Sequence, residues 1–186
     1  MVLKESDPAL EAGDAAPEFE LPGVDGGTYS PSSFDDSEAL LVVFTCNHCP
    51  YAQAKFEHLN ELAASYDDLA VVGINSNDAE EYPDDSFDAM QEYVEEGRVA
   101  YDAYLRDESQ EVARAYGAVC TPDPFLFRKD EGEFRLVYQG RLDDAMNPDE
   151  EATEFYVRDA VESILAGEPV EQEWLRSQGC SIKWRD

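Results

Sequence analysis

The stretch Ala39-Leu-Leu-Val-Val-Phe-Thr-Cys46-Asn-His-Cys49-Pro50 decides the fold. Its first six residues are apolar without alternation. That pattern suits a strand buried on both faces of a sheet. A C-x-x-C follows at once, and Pro50 suits a first helical turn, where its missing N–H costs nothing. Ala52, Phe56, Leu59, Leu62, Ala63 and Tyr66 then share one helical stripe. Thiols at a strand-to-helix junction meet unpaired N–H groups and the positive end of the helix. A thiolate is stabilised there, and Cys46, nearer the strand, is expected to gain most. Cys49 lies a turn deeper, placed to close a small disulfide ring, the geometry of thiol–disulfide exchange. In its cationic form His48 favours a thiolate at Cys46; the alternative is an exposed loop histidine.

Outward from this centre, Leu69-Ala-Val-Val-Gly-Ile74 reads as a second buried strand and Ala103-Tyr-Leu105 as a short third. Ser86 is placed to cap a helix with Phe87, Met90 and Val94 on its inner face. The 109–116 helix closes at Gly117. Phe125–Phe127 and Phe134–Tyr138 flank an Asp130-Glu-Gly132 turn, which predicts an antiparallel hairpin. Val157, Val161, Ile164 and Leu165 mark a last helix. Phe19–Leu21 and Thr28-Tyr29, separated by glycine-rich turn residues, suggest a short N-terminal hairpin. The expectation is one α/β domain over 1–186: a central mixed sheet flanked by helices, with an extended lead-in at 1–18 and a tail at 170–186. Thr121-Pro122, just before the hairpin, is a candidate cis bond that presents backbone groups to an extended substrate segment.

A strand, a C-x-x-C at a helix start and Tyr116-Gly117-x4-Pro122 before a hairpin resemble the thioredoxin superfamily. The N-terminal hairpin and the long loop after Ile74 are similar to its peroxiredoxin-like (redoxin) branch. Phe44-Thr-Cys-Asn-His-Cys-Pro-Tyr51, Ile74-Asn-Ser-Asn-Asp78, Cys120-Thr-Pro-Asp123, Gly140-Arg-Leu-Asp-Asp144 and Gly179-Cys-Ser-Ile-Lys-Trp184 resemble a largely uncharacterised family of redoxin-domain proteins sharing the Cys-Asn-His-Cys-Pro motif. The resemblance implies a thioredoxin-like fold and a redox role. Peroxiredoxins carry Pro-x-x-x-Thr-x-x-Cys; Val43 stands three before Cys46, and Cys46 three before Cys49, so neither cysteine fits. The buried Asp that thioredoxins place six before the first cysteine is Leu40 here, leaving the proton acceptor unassigned. Histidine before the second cysteine resembles the periplasmic disulfide-forming oxidases and implies an oxidising disulfide.

The function expected is therefore an enzyme, a thiol–disulfide oxidoreductase. Cys46 attacks, Cys49 resolves, and Thr121 and Pro122 position a protein or low-molecular-weight thiol partner. The alternatives are a peroxiredoxin-like peroxidase and a metal-binding module built on Cys46, His48, Cys49 and Cys120. Lone Cys120 and Cys180 do not supply the second close pair of a structural zinc site, so no metal and no cofactor is expected. Cys120 reads either as a small buried cysteine or as a third redox cysteine. Cys180 has Cys120 or Cys46 as alternative partners. His58 reads as surface. Arg141 and Asp143-Asp144 read either as site lining or as a surface cluster.

Composition sets the surroundings. Of 186 residues, 43 are acidic and 13 basic, a net charge of −30. This repels nucleic-acid phosphates and anionic lipid. At 43% hydrophobic the chain nevertheless has the material for a core. With 20 Asp and 23 Glu against 4 Lys, it resembles proteins of salt-in halophiles, and Asp78–Asp85 reads as a solvated acidic loop. No apolar run reaches the ~18 residues of a membrane span, and the first residues lack the apolar centre of a signal peptide. A cytoplasmic location is expected. At about 1 M salt the Debye length is about 3 Å, so self-repulsion is screened; in dilute buffer it is not. Circular dichroism should accordingly report partial unfolding on dialysis from molar KCl to dilute buffer. An unchanged spectrum refutes the halophilic reading.

Overall fold

The computed structural model describes residues 3–185. Chain order is β1 (Leu3–Glu5), β2 (Leu21–Pro22), β3 (Thr28–Tyr29), β4 (Ala39–Phe44), α1 (Pro50–Gln53), α2 (Phe56–Ser65), β5 (Leu69–Asn75), α3 (Phe87–Glu95), β6 (Ala103–Arg106), α4 (Glu111–Tyr116), β7 (Cys120–Thr121), β8 (Asp123–Asp130), β9 (Glu133–Gln139), α5 (Tyr156–Leu165) and β10 (Gln178–Ser181). The central sheet runs β6-β5-β4-β8-β9. β4, β5 and β6 are parallel, and β8 and β9 add antiparallel strands on the other side. This is a thioredoxin-like arrangement.

β4 sits at the centre, which is why its run is apolar throughout. Side chains alternate across a strand. Leu40, Val42 and Phe44 enter one core with Tyr116, Phe125 and Phe127. Ala39, Leu41 and Val43 enter the other with Leu59, Leu62, Val157 and Val161. α2 and α5 cover the second face; α4 and the β2–β3 hairpin cover the first. Gly117 ends α4 with φ +72, the left-handed cap that glycine adopts without a Cβ penalty. Ser86 Oγ accepts the Ala89 N–H and caps α3.

Four expectations need correction. The helix after Pro50 is interrupted: α1 stops at Gln53 and α2 begins at Phe56. Val94 is exposed, so Met90 alone is fully buried on α3, while Tyr93 packs edge-on against Phe56. The extended lead-in and the tail each carry a strand that the sequence reading lacks. β10 pairs antiparallel with both β1 and β7, making a second, three-stranded sheet. The rest of those two segments, residues 1, 2 and 186, lies outside the described residues. The 78–85 loop is not merely solvated: Asp85 is fully buried and Asp78 nearly so.

Candidate active site

Thr45, Cys46, Asn47 and His48 link the end of β4 to Cys49, which occupies the N-cap of α1 with extended backbone. The helix therefore starts after Cys49, not at Cys46. Asn47 pins this loop. Its N–H donates to Asp85 Oδ1 (2.6 Å) and its amide to Asp84 O (2.8 Å). It accepts from Tyr104 OH (2.6 Å) and Gln53 Nε2 (2.7 Å).

Asp85 is the residue that sequence reading missed. It arrives from a loop 36 to 39 positions downstream of the motif, and its carboxylate collects the Asn47 N–H, Asn75 Nδ2 (3.2 Å), Asn77 Nδ2 (3.0 Å) and the His48 Nδ1. Burial works to raise its pKa, but the His48, Asn77 and Asn47 donors outweigh it and hold the carboxyl below its ordinary range. The Asn75-Ser-Asn77 motif thus supplies two of Asp85's four donors. Arg106, buried beneath, donates to Asn75 O (3.1 Å) and Asn77 O (2.6 Å). The signal was an aspartate inside an acidic run, indistinguishable by composition from solvated neighbours.

Cys46 has no exposed surface, and its thiol is pushed up to about 12. Burial is the main cause, with the Asp85 charge adding; Thr121, the Cys49 N–H and Lys183 pull the other way. The lowered pKa expected at Cys46 is therefore not found in this state, and a carboxylate does stand at the site. His48 stacks on Tyr82, with ring centroids 5.5 Å apart, and turns Nδ1 to Asp85. The imidazole is thus paired with that carboxylate, beside the Cys46 thiol.

The Thr121–Pro122 bond is cis. Thr121 Oγ1 lies 3.5 Å from Cys46 Sγ, and its carbonyl oxygen 3.9 Å from Cys49 Sγ. The disulfide joins Cys49 to Cys180, with Cα atoms 6.4 Å apart, so Cys180's partner is neither Cys120 nor Cys46. β10 carries Cys180 opposite Thr121. Gly179 is tightly placed there, since a Cβ would overlap the Thr121 carbonyl oxygen. Cys120 is a free, fully buried thiol. Adjacent strand residues point to opposite faces, and Cys120 contacts Ser177 Oγ at 3.9 Å rather than the other cysteines. Behind it Asp123, also fully buried, accepts from Ser177 Oγ (3.2 Å) and Val119 N–H (3.4 Å). Burial raises its carboxyl to about 7.

Residues 12–135 match the AhpC/TSA family. The chain belongs to the AhpC/TSA family. Among solved structures it is similar to a hypothetical protein of Sinorhizobium meliloti 1021, at 40% identity, with 97% of this chain and 98% of that one covered and a TM-score of 0.89. An uncharacterized conserved protein of Geobacillus kaustophilus is 38% identical over 100% and 97%, TM-score 0.90. A thiol-disulfide oxidoreductase of Bacteroides fragilis NCTC 9343, 21% identical over 68% and 89% with a TM-score of 0.53, shares the fold. No curated protein matches. As a member of this family the chain is a thioredoxin-like redox protein.

The remaining candidates fall into place around the motif. Arg141 and Asp143 do line a groove beside Pro122, with Lys55, whose Nζ donates to Asp143 Oδ1 (2.6 Å). Asp144 instead holds the Thr153 and Glu154 N–H groups. His58 is half-buried against Phe155 (centroids 5.0 Å) rather than on the surface, and burial lowers its pKa. Cys46, His48 and Asp85 present ligand-type atoms within 4.8 Å of one another. Of the four metal ligands considered from sequence, Cys49 is in the disulfide and Cys120 contacts Ser177. Among the described residues no helix is long and apolar enough to cross a membrane.

Proposed function

We propose that the protein is a thiol–disulfide oxidoreductase working through Cys46 and Cys49, with a protein or low-molecular-weight thiol as partner. One observation carries the reading: both sulfurs lie against Thr121, the residue preceding the cis proline, and Cys49 already stands in a disulfide. The roles are reversed from the sequence expectation. Cys49, bonded to a cysteine on a neighbouring strand, is the exchanging residue. Cys46, in the same buried cluster, resolves the mixed disulfide. Thr121 and Pro122 hold the two sulfurs in register, and His48, fixed by Asp85, tunes the charge beside them. The reaction needs no metal or cofactor. A salt-rich cytoplasm is the setting this reading assigns.

The test is turnover of a self-quenched glutathione disulfide with dithiothreitol in molar KCl. The protein should exceed a Cys46→Ser/Cys49→Ser double variant by at least about tenfold. Equal rates sink the reading. The AhpC/TSA match favours a second one, thiol-dependent peroxidase. Hydrogen peroxide consumption that is lost on replacing Cys46 or Cys49 distinguishes it.

A further inference from the structure

We propose that the substrate of this site is a low-molecular-weight thiol carrying a carboxylate, or its disulfide, and not an extended polypeptide. The inference rests on the thiol–disulfide reading and narrows it. A polypeptide partner docks on such a site by adding a strand to a free backbone edge, and that edge must be unpaired. Here it is filled from within. Cys180 and Ser181 of β10 lie opposite Thr121 and Cys120, and β1 takes the other edge of β10. Gly179 packs against the Thr121 carbonyl with no room for a side chain.

The strand is also fixed at its far end. Lys183 N–H donates to Asn77 Oδ1 (2.9 Å), and Lys183 O accepts from the Asp78 N–H (2.8 Å) and Gln110 Nε2 (2.8 Å). Arg185 N–H donates to Gln110 Oε1 (3.0 Å), and its guanidinium pairs with Glu108 and Asp78. These residues are the Gly179–Trp184 motif and its clamp, which the exchange chemistry alone leaves unexplained.

What stays open is a cleft of about 510 Å³ lined by His48, Cys49, Tyr82, Cys180, Lys183 and Trp184. That is the size of a small-molecule site. Tyr82 and Trp184 offer apolar walls. Lys183 Nζ stands 5.9 Å from the Tyr82 ring and gives two of its donors to Ser181 O and Oγ, leaving a third. In a chain of net charge −30 it is a local cation for one carboxylate. Glu81 shares the lining and disfavours a polyanion.

In the first step the substrate thiolate attacks Cys49 Sγ. A bond forms between those sulfurs, the Cys49–Cys180 bond breaks, and Cys180 leaves as a thiolate that takes up a proton. A second substrate thiol attacks the substrate sulfur, releasing the small disulfide and the protonated Cys49 thiol. Two thiols lose two electrons and one protein disulfide gains them.

The experiment follows reduction of Cys49–Cys180 in the oxidised full chain, in molar KCl, by N-acetylcysteine, its neutral amide, and an extended nonapeptide with one central cysteine, compared per thiolate. N-acetylcysteine should react about tenfold faster than the nonapeptide. Lys183→Gln should slow N-acetylcysteine about tenfold and change the amide less than about twofold. A nonapeptide that matches N-acetylcysteine, or a Lys183→Gln effect equal for acid and amide, overturns the inference and leaves the exchange reading standing. If all three react no faster than with an unstructured model disulfide, the proposed function falls with it.

Discussion

Cys49→Ser is expected to remove thiol–disulfide exchange almost entirely. Cys49 is bonded to Cys180, lies against the Thr121 carbonyl and shares one buried cluster with Cys46 and Cys180. A serine oxygen forms no disulfide, so both routes close together. The loss in turnover should be at least about a thousandfold, the scale on which deleting a nucleophile acts. Cys120→Ser is the control: its side chain meets Ser177, not the motif, and activity should stay within about twofold. In a Cys46→Ser/Cys180→Ser double variant both internal resolving thiols are gone, and a stable mixed disulfide should accumulate on Cys49, visible by mass spectrometry. A Cys49→Ser protein that keeps a tenth of wild-type turnover would move the chemistry to Cys46 and Cys180.

Asp123→Asn is expected to change how stability depends on pH. Folding buries the Asp123 carboxyl completely and moves it from 3.8 to about 7. A raised carboxyl favours the proton-bound folded state. Its contribution is complete below about pH 4 and is lost as pH rises towards 7. Roughly three units at about 1.4 kcal/mol each make that loss about 4 kcal/mol. Asparagine has nothing to titrate. It forfeits part of the acceptance from Val119 and Ser177, a cost of about 1–2 kcal/mol at every pH. Denaturant melts in molar KCl should therefore find Asp123→Asn the less stable protein near pH 3.5 and the more stable one near pH 8. The groups common to both chains cancel, including Asp85, whose lowered carboxyl acts with the opposite sign. A stability difference that is flat from pH 3.5 to 8 would contradict a raised Asp123.

Both predictions concern residues whose roles differ in how far they are visible in the chain. Cys49 and Cys46 are announced by their spacing after an apolar run, because a strand-to-helix junction is a local event. Thr121 and Pro122 are also legible, since a proline before a strand is rare enough to draw notice. Asp123 and Asp85 are two aspartates among 20. Nothing nearby distinguishes a carboxylate that four nitrogens will surround from one that faces water.

By itself the sequence determined the strands of the central sheet, the helices beside it and their order. Apolar runs, helical stripes, Pro50, Ser86 and Gly117 act over a few residues, and short-range sterics and hydrogen bonding settle them. It also determined the acidic surface, since charge is additive. Only the tertiary structure decided which sulfur meets which. The Cys49–Cys180 pair spans 131 positions, and it exists because β10 inserts between β1 and β7 and brings Cys180 opposite Thr121. Only the tertiary structure, likewise, brought Asp85 to His48 beside the Cys46 thiol. A buried carboxylate must find donors wherever folding places them, and no local pattern records where that will be.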